Sequence, residues 1–153
     1  METGGVDMQV EKSIQISAPP EKIWPYLIDP QKLPKWFNTF KRCEYAGEKR
    51  TGVGTTYYVE EKVPGPLRKI SFEAAGWDEN EHLKLHMTSG ENVSGYQIEF
   101  TMTPQQSGTL FHFSENVGMP FGPIGKILGA LGRRTAQRMV EGMLVELKRL
   151  SEG

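Results

Sequence analysis

Hydrophobic and polar residues alternate with a period of two over several short runs in the middle of the chain. In residues 96–103, Tyr, Ile, Phe and Met alternate with Gln, Glu and Thr, and residues 82–88 alternate almost as regularly. Such alternation is typical of antiparallel strands with one face covered and the other in water. Turn-forming Gly, Pro and Asn residues separate the runs. The pattern predicts six strands, at about 41–46, 55–63, 67–77, 82–88, 96–103 and 109–117.

A further strand and two short helices are predicted ahead of these six strands. Apolar residues of one parity, interrupted only by Lys12, predict a strand over residues 8–16. Residues 17–21 are typical of a helix start, because proline is tolerated in the first turn and Glu21 favours the positive end of the helix. Asp29-Pro30 is expected to open the second short helix.

The segment from Pro120 to Leu150 has apolar residues at spacings of three and four, which predicts a long amphipathic helix. Its second half, from Arg133 on, has few helix-breaking residues. Its first half contains four glycines, each lowering helix propensity by roughly 1 kcal/mol relative to alanine. Glycine at such positions permits close approach of another group or leaves volume unfilled.

This order of elements predicts an α+β fold, in which a strongly curved antiparallel sheet of seven strands surrounds one long C-terminal helix. The two short helices follow strand 1 and close one end. The length favours a single domain over residues 1–153, with residues 1–6 flexible.

Composition excludes several classes of protein. The 37% hydrophobic and 24% charged content is that of a soluble globular chain, and a net charge of −1 gives no reason to expect nucleic acid or anionic membrane as a partner. No apolar run is long enough for a membrane span. One cysteine and the absence of a signal sequence predict a cytoplasmic protein without disulfides, either a monomer or a weak dimer.

Several short motifs resemble the START-like, or helix-grip (SRPBCC), superfamily, and most closely its bacterial polyketide cyclase/dehydrase and lipid-transport family. The motifs are Ile14-x-Ile16-x-Ala18-Pro19-x-Glu21-x-Ile23-Trp24, Leu27-x-Asp29-Pro30, Leu33-Pro34-x-Trp36 and Gly52-Val53-Gly54-Thr55. The resemblance extends over essentially the whole chain. It implies a cavity between sheet and helix that holds an apolar small molecule such as a lipid or a polyketide. It does not imply one particular reaction.

The candidate ligand-binding residues are the large apolar side chains expected on the inner face of the sheet, before strand 2, in the loop before the helix and on the helix, together with one arginine for an anionic group. They are Trp36, Phe40, Tyr57, Val59, Phe72, Leu85, Met87, Tyr96, Ile98, Phe100, Phe111, Phe113, Met119, Phe121, Leu128, Leu131 and Arg138. The alternative is that these side chains only fill one another's gaps. Glycines at 125, 129 and 132 favour a cavity, because they remove side-chain volume from the helix.

Few polar groups share the parity of the inner face. Glu61 and Glu115 do, and Tyr57 and Tyr96 offer hydroxyl groups. A carboxyl group in an apolar pocket has a raised pKa and can transfer protons, so these four residues are the weak catalytic candidates. Against this hypothesis, both glutamates lie toward strand ends, where side chains can reach solvent.

Metal and cofactor sites are not expected. His82 and His86 lie on one strand, where four residues span roughly 13 Å, and no carboxylate cluster or second cysteine completes a ligand set. No nucleotide-binding or nucleophile motif is present. Cys43 is interpreted as a small packed residue, although the adjacent Arg42 could lower its pKa.

Three hypotheses for function follow. The first is a carrier that binds an apolar or amphipathic small molecule without a cofactor. The second is a cofactor-independent cyclase or dehydratase, indicated by a buried Glu61 or Glu115 hydrogen-bonded to Tyr57 or Tyr96. The third is a protein-binding adaptor with a closed cavity and an exposed apolar patch.

Overall fold

The computed structural model describes residues 6–63, 66–119 and 122–153, and the side chains of residues 8–63, 66–118 and 132–153. The elements are β1 (Val6–Ile16), α1 (Pro20–Ile23), α2 (Pro25–Ile28), a 3-10 turn (Leu33–Lys35), β2 (Phe40–Tyr45), β3 (Thr56–Glu61), β4 (Arg68–Asp78), β5 (His82–Gly90), β6 (Gly95–Gln105), β7 (Gly108–Met119) and α3 (Gly122–Glu152).

The seven strands form one antiparallel sheet in the order β1-β7-β6-β5-β4-β3-β2. Strands β2 to β6 each pair with the next strand along the chain, and β1 pairs with β7. The predicted curved seven-stranded sheet, two short helices and long C-terminal helix are confirmed. Residues 1–5 of the expected flexible terminus lie outside the described residues, whereas Val6 already belongs to β1, where it pairs with Met119.

The short helices differ in position from the expectation. Pro25 divides the first helix into α1 and α2 at Trp24, because proline begins a helical turn readily but cannot continue one. Asp29-Pro30 opens no α-helix. Instead the Asp29 carboxylate accepts a hydrogen bond from the Gln31 N–H at 2.9 Å, a local turn that competes with helix formation.

The centre of the core is aromatic. The Trp36 side chain is fully buried, and its ring lies 5.5 Å from that of Phe100 and 6.1 Å from that of Phe111. Its indole N–H donates to the Tyr26 carbonyl at 2.8 Å, so the polar atom is satisfied. The segment before β2 is therefore fixed against the inner face of the sheet.

Helix α3 packs through its second half, where Val140, Met143, Leu144 and Leu147 are buried. Lys12, the residue that interrupts the apolar parity of β1, places its Nζ atom 2.9 Å from Glu141 on this helix. Within the described ranges, no helix has the length and apolar character needed to cross a membrane.

Candidate functional site

The inner face of the sheet changes from apolar to polar along its strands. On β3 and β4, successive cross-strand partners facing inward are Tyr57 and Phe72, then Val59 and Ile70, then Glu61 and Arg68. The last pair forms the end of this series. Because residues directly opposite in an antiparallel ladder lie side by side, the register alone brings the carboxylate and the guanidinium together.

Strands β6 and β7 show the same change from apolar to polar residues along the inner face. On β6, inward-facing residues run from Phe100 through Ile98 to Tyr96, and on β7 from Phe111 through Phe113 to the half-buried Glu115. The ladder pairs Ile98 with Glu115, so Tyr96 lies one inward position further along. Four strands therefore deliver polar side chains to the same end of the concave face.

A cavity of about 400 Å³ lies between this polar end and α3. Its sheet side is lined by Met8, Glu61, Arg68, Tyr96, Glu115 and Val117. Its helix side is lined by Gly132, Thr135, Ala136, Met139, Val140 and Met143. Phe37, Thr39 and Val63 also line it. A largely apolar wall with a few convergent polar groups is the usual composition of a small-molecule site.

Glu61 is at the centre of the polar groups and is only 2% exposed. Its Oε1 atom accepts hydrogen bonds from Nε and Nη2 of Arg68 at 3.1 and 2.9 Å. Its Oε2 atom lies 2.9 Å from the Thr39 hydroxyl, which donates to it, and 3.0 Å from the Tyr96 hydroxyl. Donors thus reach both oxygens of Glu61, and the Arg68 guanidinium lies beside it.

Glu115 completes the network through Tyr96. The Tyr96 hydroxyl oxygen lies 2.5 Å from Glu115 Oε2 as well as 3.0 Å from Glu61. A phenol has one hydrogen to donate, so two carboxyl contacts require that one carboxyl group donates in return. Since Glu61 is saturated with donors, Glu115 is the group that holds the extra proton.

The electrostatics agree with that assignment. Burial, with a further contribution from the Glu61 charge, raises the pKa of Glu115 to about 7, although the short contact with Tyr96 and the charge of Arg68 oppose the shift. Burial, followed by the charges of Glu115 and Glu61, also raises the pKa of Tyr96 well above its ordinary value. Near neutral pH, Glu115 therefore exchanges between its protonated and ionised forms.

On the helix side, Gly132 keeps the cavity open. A Cβ atom at this position would lie 3.5 Å from Cε of Met8, across the hollow. A larger side chain here would enter the cavity. The predicted glycines 125 and 129 lie outside the residues whose side chains are described.

Of the predicted site residues, Tyr96, Glu61 and Glu115 line the cavity. Most of the other predicted ligand-binding residues lie deeper in the packed core and not on the cavity wall: Trp36, Phe40, Tyr57, Val59, Phe72, Leu85, Ile98, Phe100, Phe111 and Phe113. Their inward parity is as expected, but they occupy the apolar end of the face, where aromatic rings fill one another's gaps. Met87 is half-buried and also lies off the wall.

Two of the predicted polar side chains do not reach the cavity, Tyr57 and Arg138. Tyr57 donates its hydroxyl hydrogen to the Ile28 carbonyl at 2.8 Å, so this hydroxyl group is committed to the core. Arg138 is exposed and is absent from the cavity wall. The remaining predicted residues lie outside the described side chains: Met119, Phe121, Leu128 and Leu131.

The expectation that Glu61 reaches solvent is wrong, because Arg68 and Thr39 hold it inside the sheet. Arg68 is the main residue missed from the sequence. It shares parity with Ile70 and Phe72, so the pattern contained the signal. Thr39 precedes β2 in a loop, where no periodicity marks it.

Other candidate chemistry does not converge on the cavity. Burial raises the pKa of Cys43 to about 12, and the residue packs against the core, in line with its interpretation as a small packed residue. His82 pairs with Glu99 at 2.5 Å. Over the described ranges, no group of three or more His, Cys, Asp or Glu side chains is arranged to hold a metal ion.

Comparisons with known proteins extend over nearly the whole chain. The model of the family described as polyketide cyclase/dehydrase and lipid transport matches residues 7–152. A curated relative, toxin Rv0910 of Mycobacterium tuberculosis, is 25% identical over 138 residues, which are 86% of this chain and 92% of the relative.

Solved structures share the fold. TTHA0849 from Thermus thermophilus has a TM-score of 0.77 at 19% identity and covers 95% of this chain and 97% of its own. A START superfamily protein from Mycobacterium smegmatis has a TM-score of 0.69 at 18% identity, covering 91% of this chain and 98% of its own. The di-domain ARO/CYC StfQ from the steffimycin biosynthetic pathway has a TM-score of 0.74 at 15% identity, and the match covers 96% of this chain and 51% of StfQ.

Proposed function

Since the chain belongs to the polyketide cyclase/dehydrase and lipid transport family, we propose that it binds an apolar or amphipathic small molecule between the sheet and α3. The observation that carries this proposal is the cavity of about 400 Å³, with an apolar wall and a single polar end. Methionine side chains from β1 and α3 (Met8, Met139 and Met143) form much of that wall, and such side chains adapt to ligands of different shape.

The distribution of polarity gives the ligand a direction. Its apolar part lies along Val117 and the methionines, and its polar group points toward Tyr96 and Glu115. The adaptor alternative requires a closed cavity, which a hollow of this volume counts against. Large exposed apolar residues in the described part of the chain (Val53, Leu67 and Val145) are separated in sequence and provide no evident patch for a partner.

The test is to fill the cavity from the helix. Gly132→Leu places a side chain in the hollow, whereas Gly142→Leu, ten residues further along α3, adds the same side chain where a Cβ would meet no atom within 4 Å. Both changes raise helix propensity, so they differ mainly in the cavity. We expect Gly132→Leu to weaken uptake of Nile red, an uncharged fluorescent dye, at least about tenfold, and Gly142→Leu to leave it unchanged.

Circular dichroism of both variants shows whether each is folded. Equal dye binding by the folded Gly132→Leu variant and the unaltered protein would count against a ligand site at this position. A retained molecule detected by native mass spectrometry of the unaltered protein would give the mass of the natural ligand.

A second candidate function is cofactor-independent proton transfer of the cyclase or dehydratase type. The hydrogen bond of 2.5 Å between Tyr96 and Glu115 favours it. A general acid or base works best when its pKa lies near the working pH, and the pKa of Glu115 is raised to about 7. In such a reaction, ionised Glu115 would remove a proton from a carbon beside a carbonyl group, and the protonated form would return it.

Deuterium exchange at C3 of pentadecane-2,4-dione, the carbon between its two carbonyl groups, tests this candidate directly when followed by NMR in D₂O. We expect exchange to accelerate as pH rises through about 7, because the base is the ionised form of Glu115. Glu115→Gln should slow it by about 100-fold or more. If the unaltered protein gives no acceleration over buffer although the diketone displaces Nile red, binding is retained as the function and proton transfer is rejected.

A further inference from the structure

We infer that the polar end of the cavity excludes anionic ligands and accepts an uncharged ligand bearing a hydroxyl group. This inference rests on the proposed binding function and adds the chemical class of the ligand. It is based on the hydrogen bonds that these side chains already make and on their net charge: Glu61, Arg68, Tyr96 and Glu115.

The positive charge in the cavity wall is already neutralised. Both Nε and Nη2 of Arg68 donate to Glu61 Oε1, and this guanidinium lies 5.7 Å from the centre of the Tyr96 ring. A ligand carboxylate, sulfonate or phosphate that took over these two donors would displace Glu61 from a buried pair whose members are 2% and 9% exposed at the side chain. Replacing one buried partner leaves the other charge unpaired, which is strongly unfavourable.

The other wall residues that the structure describes add no positive charge. From the helix side, the described wall consists of Gly132, Thr135, Ala136, Met139, Val140 and Met143, and β1 contributes Met8. Apart from Glu61 and Arg68, the titratable groups facing Glu115 on the described wall are thus limited to Tyr96. With Glu115 protonated, the polar end has no net charge, and with Glu115 ionised it has one negative charge. Neither state attracts an anion.

The hydrogen bonds within the polar network also favour one kind of polar group on the ligand. By the hydrogen count at this site, the one hydrogen of Tyr96 serves Glu61, so the proton of Glu115 lies on Oε2, between Glu115 and the Tyr96 oxygen 2.5 Å away. Among the described side chains, Tyr96 is the hydrogen-bond partner of Glu115, so the second carboxyl oxygen of Glu115 remains an acceptor at the cavity wall. An acceptor in an apolar cavity requires a donor from the ligand, and a hydroxyl group is an uncharged donor.

Three probes of equal chain length separate charge from hydrogen bonding. 1-Decanol carries the donor, 1-methoxydecane lacks it, and decane-1-sulfonate is an anion at every pH used. Each is titrated against protein-bound Nile red at pH 6. We expect 1-decanol to bind at least about tenfold more tightly than the sulfonate and about fivefold more tightly than the ether.

The pH dependence identifies Glu115 as the group that adds charge. Raising the pH from 6 to 8 ionises Glu115, since its pKa is raised to about 7. The neutral fraction then falls to about one tenth, and the affinity for the sulfonate should fall by up to about tenfold more. Glu115→Gln cannot ionise and should remove this second loss, while Glu44→Gln, an exposed control on β2, should retain it.

A double variant that lacks both carboxylates tests the role of Arg68. Glu61→Gln combined with Glu115→Gln leaves Arg68 as the one charge in the polar network, so sulfonate affinity relative to 1-decanol should rise at least about tenfold. Circular dichroism establishes whether the double variant is folded. If it is not, the pH comparison between Glu115→Gln and the unaltered protein decides the question.

The inference is overturned if the sulfonate binds the unaltered protein as tightly as 1-decanol at pH 8, or if the ether matches the alcohol. It is also overturned if Glu115→Gln retains the pH-dependent loss. Failure of the binding function itself looks different, because then Nile red and all three probes fail to bind and Gly132→Leu changes nothing.

Discussion

The two ends of the concave face are built from the same strands but differ in what their side chains do. At one end, here called the closed end, Trp36 packs against Phe100 and Phe111 with ring centres 5.5 and 6.1 Å apart. At the other end, here called the open end, inward-facing positions of the same strands carry charged and hydroxyl groups beside the cavity. One backbone arrangement thus supports a packed core at one end and a binding site at the other.

The contrast also concerns stability. Burial of aromatic side chains is a large favourable contribution. A buried ion pair such as that of Glu61 with Arg68 contributes little on balance, because removal of both charges from water offsets their attraction. The closed end therefore stabilises the fold, and the open end is explained better by the ligand it can receive.

The largest expected effect comes from the closed end. Trp36→Ala removes a fully buried side chain and its hydrogen bond to Tyr26, and should lower the free energy of unfolding by about 3–5 kcal/mol. Urea denaturation measures this change. Trp77→Ala, which removes a partly buried tryptophan on β4, is the matched control and should lose about half as much. Equal losses of unfolding free energy for the two variants would contradict the larger contribution expected from the fully buried Trp36.

At the open end, breaking the ion pair should have a smaller effect. Arg68→Leu leaves Glu61 buried without its counter-ion and should destabilise the protein by about 3 kcal/mol. Replacing both residues by leucine should recover most of that loss, since neither charge then remains buried. Arg42→Leu breaks an exposed pair with Glu44 and should give no measurable change. A double variant as unstable as Arg68→Leu would mean that the pair itself stabilises the fold.

The smallest of the three effects is a pH dependence from the open end. The folded-state pKa of Glu115 is raised from about 4.5 to about 7, so the folded protein binds this proton more tightly than the unfolded chain does. Stability from this group is present below the unfolded pKa, declines as pH rises toward 7 and then levels off. Allowing for water in the cavity, the loss should be on the order of 2 kcal/mol.

Urea denaturation at pH 5 and pH 7.5 measures that loss, and Glu115→Gln should lack it. Because other groups titrate over the same range, the informative quantity is the difference between the two proteins. Identical pH dependence in both would show that Glu115 is ionised throughout, contrary to the hydrogen-bond count at Tyr96.

The strand periodicity was sufficient to predict the sheet and to select which residues face inward. Parity identified Glu61 and Glu115 correctly as residues of the inner face, and Arg68 could have been identified in the same way. The helix pattern placed glycine at 132 on the side that faces the sheet. These features are local in sequence, so one chain is enough to recognise them.

The position of the cavity along the strands could not be obtained from parity. It depends on the register between strands and on where α3 lies over the sheet, both of which are set by tertiary packing. For that reason Trp36 and Phe111 were expected at the ligand, although they lie in the core. Thr39, in a loop before β2, needed the folded chain to bring it to Glu61.

The change from apolar to polar along each strand has a consequence for protein engineering. Positions 61, 68, 96 and 115 form a polar layer at one end of the concave face, in which Tyr96 lies one inward position beyond Glu115. A combinatorial library restricted to this layer could sample new recognition chemistry while the aromatic scaffold beneath it stays intact. Binding preference and foldability would then be largely separable traits of this chain.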